Sequence, residues 1–147
     1  MSFQSNLLSG RTPLITGGGT GICRGIALAL AAHGCDVAIT SRSADHLEPT
    51  ADEIRAKGRR AVAVPADVRD PAAVEAAVTR TVEELGGLDI LVNGAAGNFL
   101  CLAEQLSPNG FGAVVDIDLK GTFHCSKAAL PYLKKCGGVI LNISATL

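Results

Sequence analysis

Thr16-Gly17-Gly18-Gly19-Thr20-Gly21-Ile22-Cys23 is the stretch that decides the fold. The short apolar run Pro13-Leu14-Ile15 precedes it, and Arg24-Gly25-Ile26-Ala27-Leu28-Ala29-Leu30-Ala31-Ala32, rich in Ala and Leu, follows it. The order is strand, glycine turn, helix. Glycines at 17, 18, 19 and 21 permit positive φ angles and close backbone approach, and the unpaired N–H groups that open the helix point at whatever lies there. A pyrophosphate fits such a cradle, formed by Gly17, Gly18, Gly19, Thr20, Gly21 and Ile22. A plain strand-to-helix turn also holds glycines, so the rest of the chain must discriminate between the two readings.

Downstream, His33-Gly34 stops the first helix, with glycine where a left-handed cap is wanted. Val37-Ala38-Ile39-Thr40 reads as a second strand, and Asp45 to Lys57 as an amphipathic helix with Leu47, Ala51 and Ile54 on one side. Ala61-Val62-Ala63-Val64 is a third strand. Asp70-Pro71 supplies an N-cap and an N1 proline for a helix that carries Val74, Ala77, Val78, Val82 and Leu85 inward to Gly86-Gly87. Leu88 to Val92 is a fourth strand, Ser107-Pro108 opens a long helix to about Lys135, and Val139 to Ile143 is a fifth strand. Apolar strands alternating with helices predict an α/β fold, a doubly wound parallel sheet of Rossmann type that ends after its fifth strand, forming one dinucleotide-binding domain over residues 1–147.

The bulk composition narrows the chemistry. The chain has 147 residues, 48% hydrophobic and 18% charged, which suits a packed domain. Thirteen basic residues against 14 acidic ones leave a net charge of −1, so no global field draws in nucleic acid and any anion recognition is local. The five cysteines show no C-x-x-C and read as reduced core residues, and the three histidines lack ligand spacing, so no metal site is expected. Neither a signal-like leader nor an apolar run of about 18 residues is evident, which predicts a soluble intracellular protein with no membrane span.

In a doubly wound sheet the ligand lies at the carboxyl ends of the strands. Ser41-Arg42-Ser43 follows the second strand with a cation and no carboxylate, which favours a ribose 2′-phosphate, hence NADP(H) over NAD, with Arg42 and Ser43 as its contacts. Asp67 can accept from an adenine amino group, or simply cap the next turn, with Val68 beside it; Arg69 is free to meet a phosphate of a second ligand or to sit in solvent. Asn93 and the small residues after it, including Ala95, would let a nicotinamide ribose approach the backbone, or form a bend. On the long helix, Asp116, Lys120, Lys127 and Lys134 share a water-facing stripe at about 100° per residue. Asp118 instead shares a face with Phe111, Val115 and Thr122 and is expected to point inward, where an unpaired carboxylate is costly enough to suggest a catalytic role.

Gly17 and Gly21 match T-G-x-x-x-G-x-G, and over nearly its whole length the chain resembles the amino-terminal part of the short-chain dehydrogenase/reductase family. Cys23 departs from that loop, whose third position is normally glycine, and predicts a slightly spread helix–strand contact. Ser41-Arg42-Ser43, Asn93-Gly94-Ala95-Ala96-Gly97-Asn98-Phe99-Leu100, Leu106-Ser107-Pro108-Asn109 and Asp116-Ile117-Asp118 look like the 2,4-dienoyl-CoA reductases, the peroxisomal type above all. The family's helix asparagine falls at Asp118 and its catalytic serine at Ala145, departures that suit this subgroup better than alcohol–ketone chemistry.

The resemblance implies NADPH-dependent reduction of a 2,4-dienoyl-CoA to a 3-enoyl-CoA in unsaturated fatty acid degradation, with Asp118 ordering the water or acid that supplies a proton. It also implies that Phe99, Ser107, Pro108 and Asn109 line the acyl-CoA site, that Arg42 or Arg69 meets CoA phosphates, and that the complete protein is a homo-oligomer, peroxisomal in a eukaryote or cytoplasmic in a bacterium. The competing expectations are another reductase of the family, which Ala145 speaks against, and a non-catalytic NADP-binding fragment. The family's lysine would follow the fifth strand, and the only tyrosine, Tyr132, has Cys136 four residues on. By itself the 147-residue chain is therefore expected to be weak or inactive as a catalyst and to associate through an uncovered fifth strand.

Overall fold

The computed structural model describes residues 4–144. Five strands form one parallel sheet: β1 (Pro13–Thr16), β2 (Val37–Ser41), β3 (Ala61–Pro65), β4 (Ile90–Asn93) and β5 (Val139–Asn142). Their order is β3-β2-β1-β4-β5, so the chain leaves the centre in one direction and returns to β4 on the other side of β1. That reversal between β1 and β4 is the topological switch point, where the flanking loops diverge and leave a crevice. The helices are α1 (Gly21–Ala32), α2 (Ala44–Ala56), α3 (Pro71–Leu85), α4 (Pro108–Val115) and α5 (Gly121–Cys136). The doubly wound expectation holds.

Because side chains alternate along a strand, consecutive apolar residues feed opposite faces. Leu14, Ala38, Val62, Val64 and Leu91 pack with Val74, Val78 and Leu85 of α3 and with Cys125, Ala129 and Leu133 of α5. Ile15, Ile39, Ala63 and Val92 pack with Ala27 of α1 and with Leu47, Ala51 and Ile54 of α2. Both faces are thus covered, which is why the strands read as continuous apolar runs. β5 lies at the sheet edge and pairs only with β4 among the described strands; Val139 is 58% and Leu141 47% exposed.

The local signals hold at the helix ends. The Asp70 carboxylate accepts from Ala72 N at 2.9 Å ahead of Pro71, and Ser107 Oγ accepts from Gly110 N at 3.0 Å ahead of Pro108. Gly34, Gly86 and Gly137 take positive φ where their helices stop. The predicted single helix from Ser107 to Lys135 is corrected in one respect. A π turn, Asp116–Lys120, separates α4 from α5. The extra residue it inserts rotates everything before it by about 100° relative to an unbroken helix.

At the opposite end of the sheet Asp36 ties three segments together. Arg59 and Arg60 reach its carboxylate at 2.7 and 2.8 Å, and Arg60 also donates to the terminal carbonyls of α3, Glu84 at 3.1 Å and Leu85 at 3.0 Å. Those contacts hold the amino-terminal edge and leave the carboxyl ends of the strands open.

Candidate functional site

A cavity of about 560 Å³ opens at the switch point. Its walls are the three loops that follow β1, β2 and β4, the Ala66-Asp67-Val68 segment after β3, and Ile117 from the π turn. Gly17, Gly19, Thr20, Gly21, Ile22, Arg42, Asp67, Val68 and Ala95 of the predicted residues line it. The volume is in the range of small-molecule and cofactor sites.

Within the glycine loop the roles divide. Gly17 N and Gly18 N both donate to Thr40 O, at 2.8 and 3.3 Å, so these two amides stitch the loop to β2 instead of facing a ligand. Gly18 lies off the cavity, and a Cβ there would meet the Ile39 side chain at 2.6 Å. Gly19 packs its Cα against the His46 backbone, and its carbonyl accepts from Thr50 Oγ1 at 3.2 Å. The donors left for an anion are those of the first turn of α1. Thr20 is the N-cap, its side chain makes no capping bond, and the N–H groups of Gly21, Ile22 and Cys23 have no acceptor within the helix.

Thr16 fixes the opposite wall. Its buried Oγ1 accepts from Gly94 N and Ala95 N, both at 2.9 Å, which clamps the loop after β4 against the loop after β1. Cys23 is 5% exposed, and its sulfur lodges where a side chain at Gly94 would stand. Burial pushes the thiol pKa up, so the sulfur facing the anion site stays neutral. Gly94→Ala is therefore expected to destabilise the fold by about 1–3 kcal/mol through overpacking. Cys23→Ala in the same chain should recover most of that loss in thermal unfolding, because the collision is with the sulfur.

Beyond β2 and β3 the charges are arranged asymmetrically. Ser41 and Pro65 are paired across the two strand ends, which brings Arg42 and Asp67 to the same lip. Arg42 is exposed and lines the cavity, whereas Ser43 lies off the lining as the N-cap of α2. Arg69, expected to face a phosphate or solvent, instead grips Asp67, with Nη2 at 2.6 Å from Oδ2. That hydrogen bond holds the Asp67 carboxyl below the usual carboxylate range. Val68 is anchored from behind, since a Cβ on Gly121 would meet its Cγ2 at 2.6 Å and His124 Nδ1 lies 2.9 Å from its carbonyl oxygen. A carbonyl only accepts, so His124 carries a proton on Nδ1.

Asn93 is 4% exposed, and its Nδ2 donates to Asn142 Oδ1 at 2.9 Å and Ser126 Oγ at 3.1 Å. It braces β4 against β5 and α5, and the small residues after it form the wall. Asp118 is exposed, not inward-facing, as no residue of α4 or of the π turn is buried, and its Oδ1 accepts from Gly97 N at 2.8 Å. That bond places it beside the cavity, one residue from the lining Ile117. Phe99, Ser107, Pro108 and Asn109 form a separate group: the Phe99 ring stands over Gly110, and none of the four lines the cavity. Ala145, where the family serine would fall, lies outside the described residues.

Sequence reasoning missed Thr16 and His124 as parts of the site. Threonine ending a buried strand next to a glycine loop was a usable signal; nothing local marks His124.

Comparison with known proteins agrees with this geometry. The family model for short chain dehydrogenase matches residues 11–147. The chain is 45% identical over 154 aligned positions to an Arabidopsis thaliana protein named peroxisomal 2,4-dienoyl-CoA reductase [(3E)-enoyl-CoA-producing], covering 99% of this chain and 52% of that one. A Bacillus subtilis protein named probable 2,4-dienoyl-CoA reductase [(2E)-enoyl-CoA-producing] is 42% identical over 135 positions, covering 90% of this chain and 53% of the relative. Among solved structures, a short chain dehydrogenase from Burkholderia cenocepacia in complex with NADP superposes with a TM-score of 0.88 at 41% identity, over 93% of this chain and 56% of that one. The chain thus spans about half the length of the relatives it matches.

Proposed function

The chain belongs to the short-chain dehydrogenase family, and on that premise we propose that the protein reduces 2,4-dienoyl-CoA to 3-enoyl-CoA with NADPH. The observation that carries the cofactor half of this reading is the cavity lip. It presents an exposed arginine, Arg42, and no carboxylate directly after β2, opposite a helix whose first-turn amides lack acceptors. Such a site accommodates a phosphorylated dinucleotide. The Gly21, Ile22 and Cys23 amides would hold the diphosphate, Arg42 the 2′-phosphate, and Asp67 the adenine amino group through lone pairs not taken by Arg69. Ala95 and Ala96 offer a wall of small side chains to the nicotinamide ribose.

When bound, the reduced nicotinamide supplies a hydride to the distal end of the conjugated thioester. Asp118, tethered through Oδ1 to Gly97 N, keeps its second oxygen available to order the water or acid that delivers the proton. Phe99 and the Ser107–Asn109 turn, packed together beside this region, offer an apolar wall and a helix start to the acyl-CoA. Support for this substrate comes from the names of the Arabidopsis and Bacillus relatives, and the Arabidopsis name carries the 3-enoyl product. The same reading makes the protein an oligomer and places it in peroxisomes in a eukaryote or the cytoplasm in a bacterium. No helix among the described residues is long and apolar enough to cross a membrane.

The test is NADPH oxidation by the full-length protein on addition of a 2,4-dienoyl-CoA, with mass spectrometry of the product. Turnover with 3-enoyl-CoA formation is expected. Tight NADPH binding without turnover would instead support a cofactor-binding module, and the absence of NADPH binding would remove the reading.

A further inference from the structure

Asp67 feels two arginines, and only one of them holds it. Arg69 donates from Nε to Oδ1 and Oδ2, both at 3.0 Å, from Nη2 to Oδ2 at 2.6 Å, and from its backbone N–H to Oδ1 at 3.0 Å. Arg42 feels the same carboxylate through space. Its guanidinium makes no ion pair or hydrogen bond among the described residues. Arg42 and Asp67 line the cavity, and Arg69 does not.

Building on the reading that this cavity takes a phosphorylated dinucleotide, we propose that Arg69 is a positioning residue for coenzyme selection: by bridging both oxygens of Asp67 it keeps the neighbouring Arg42 guanidinium free for the 2′-phosphate. Two effects point the same way. A carboxylate with both oxygens already bridged by a guanidinium fork competes poorly for a second arginine. The trio Arg42, Asp67 and Arg69 also carries a net positive charge, which a phosphate meets favourably; without Arg69 the remaining pair is neutral and self-paired. The adenine contact at Asp67 is common to both coenzymes, so it cancels from their ratio. Arg69 thereby acts on the phosphate it does not touch, through a carboxylate that faces the cavity.

The experiment is titration of the full-length protein with NADPH and with NADH in the wild type, Arg69→Ala, Arg69→Lys and the double variant Asp67→Asn/Arg69→Ala. Arg69→Ala is expected to lower the NADPH-to-NADH affinity ratio about fivefold, the scale of one exposed ion pair, with NADH affinity little changed. Arg69→Lys should restore most of the ratio by keeping the charge. The double variant should restore it as well, since an asparagine cannot capture Arg42. The assignment is overturned if Arg69→Ala keeps the wild-type ratio, if it weakens both coenzymes alike, or if the double variant stays as low as the single one. A wild type that binds NADPH no better than NADH overturns the coenzyme reading and this assignment together. A wild-type preference for NADPH that Arg69→Ala leaves intact removes only the role of Arg69.

Discussion

Asp118→Asn should lower turnover of a 2,4-dienoyl-CoA by about a hundredfold or more, the usual scale for losing a proton-handling group, while NADPH affinity stays within about twofold of wild type. The separation follows from how the carboxylate is held. Oδ1 accepts from Gly97 N at 2.8 Å, and an asparagine carbonyl can take the same hydrogen bond, so the loop after β4 keeps its position. The substitution removes the charge and basicity of the second oxygen. Asp118→Ala loses the tether too, and should weaken NADPH binding as well as turnover because Gly97 is two residues from the lining Ala95. Steady-state kinetics alongside coenzyme titration distinguishes the two variants. Near wild-type turnover in Asp118→Asn would remove the proton role.

The contrast between Asp118 and the strands shows which information is local. Leu14-Ile15, Ala38-Ile39 and Leu91-Val92 send neighbours to opposite faces of a sheet covered on both sides, so the apolar runs themselves specify a parallel sheet. Asp70 and Ser107 cap by contacts two and three residues away, and both are visible in the sequence. The π turn at Asp116–Lys120 is not visible, because a 3.6-residue periodicity carries no mark of one inserted residue. The inward direction expected for Asp118 fails for another reason, that the whole of α4 and the π turn leaves no residue buried, although Asp118 stays next to the cavity.

The site residues divide in the same way. That loops after β1, β2, β3 and β4 converge is a property of the fold class, and most of the glycine loop, Arg42 and Asp67 line a common cavity. Which donors are free is a property of partners distant in sequence. Thr40 O takes the Gly17 and Gly18 amides, Thr16 Oγ1 takes those of Gly94 and Ala95, and His124 braces Val68 across 56 positions. Even Arg69, two residues from Asp67, was open to a solvent reading until the strand ends fixed its direction. Sequence patterns locate a binding edge well, and they leave the allocation of its hydrogen bonds to tertiary geometry.

Gly17→Ala is expected to lose stability through two effects that can be separated. Gly17 has φ +70°, and a Cβ there would lie 2.9 Å from Gly94 O and 3.2 Å from Ala95 N and Cα. The left-handed conformation alone costs an alanine about 1–2 kcal/mol. The collision adds to this because neither side can yield freely. Gly17 N is bonded to Thr40 O at 2.8 Å, and the opposing loop is held by Thr16 Oγ1, so retreat breaks hydrogen bonds worth about 1 kcal/mol each. A total loss of about 2–4 kcal/mol is expected from denaturant unfolding, with NADPH affinity reduced because the cradle opens. Gly21→Ala isolates the first part: Gly21 has φ +56° and nothing within 4 Å of its would-be Cβ. Gly25→Ala, inside α1 with open space around it, should stabilise by about 0.5–1 kcal/mol, as alanine favours a helix interior. The predicted order of stability is therefore Gly25→Ala above wild type, then Gly21→Ala, then Gly17→Ala. Equal losses at 17 and 21 would show that backbone strain acts alone and that the loops after β1 and β4 do not press on one another across the switch point.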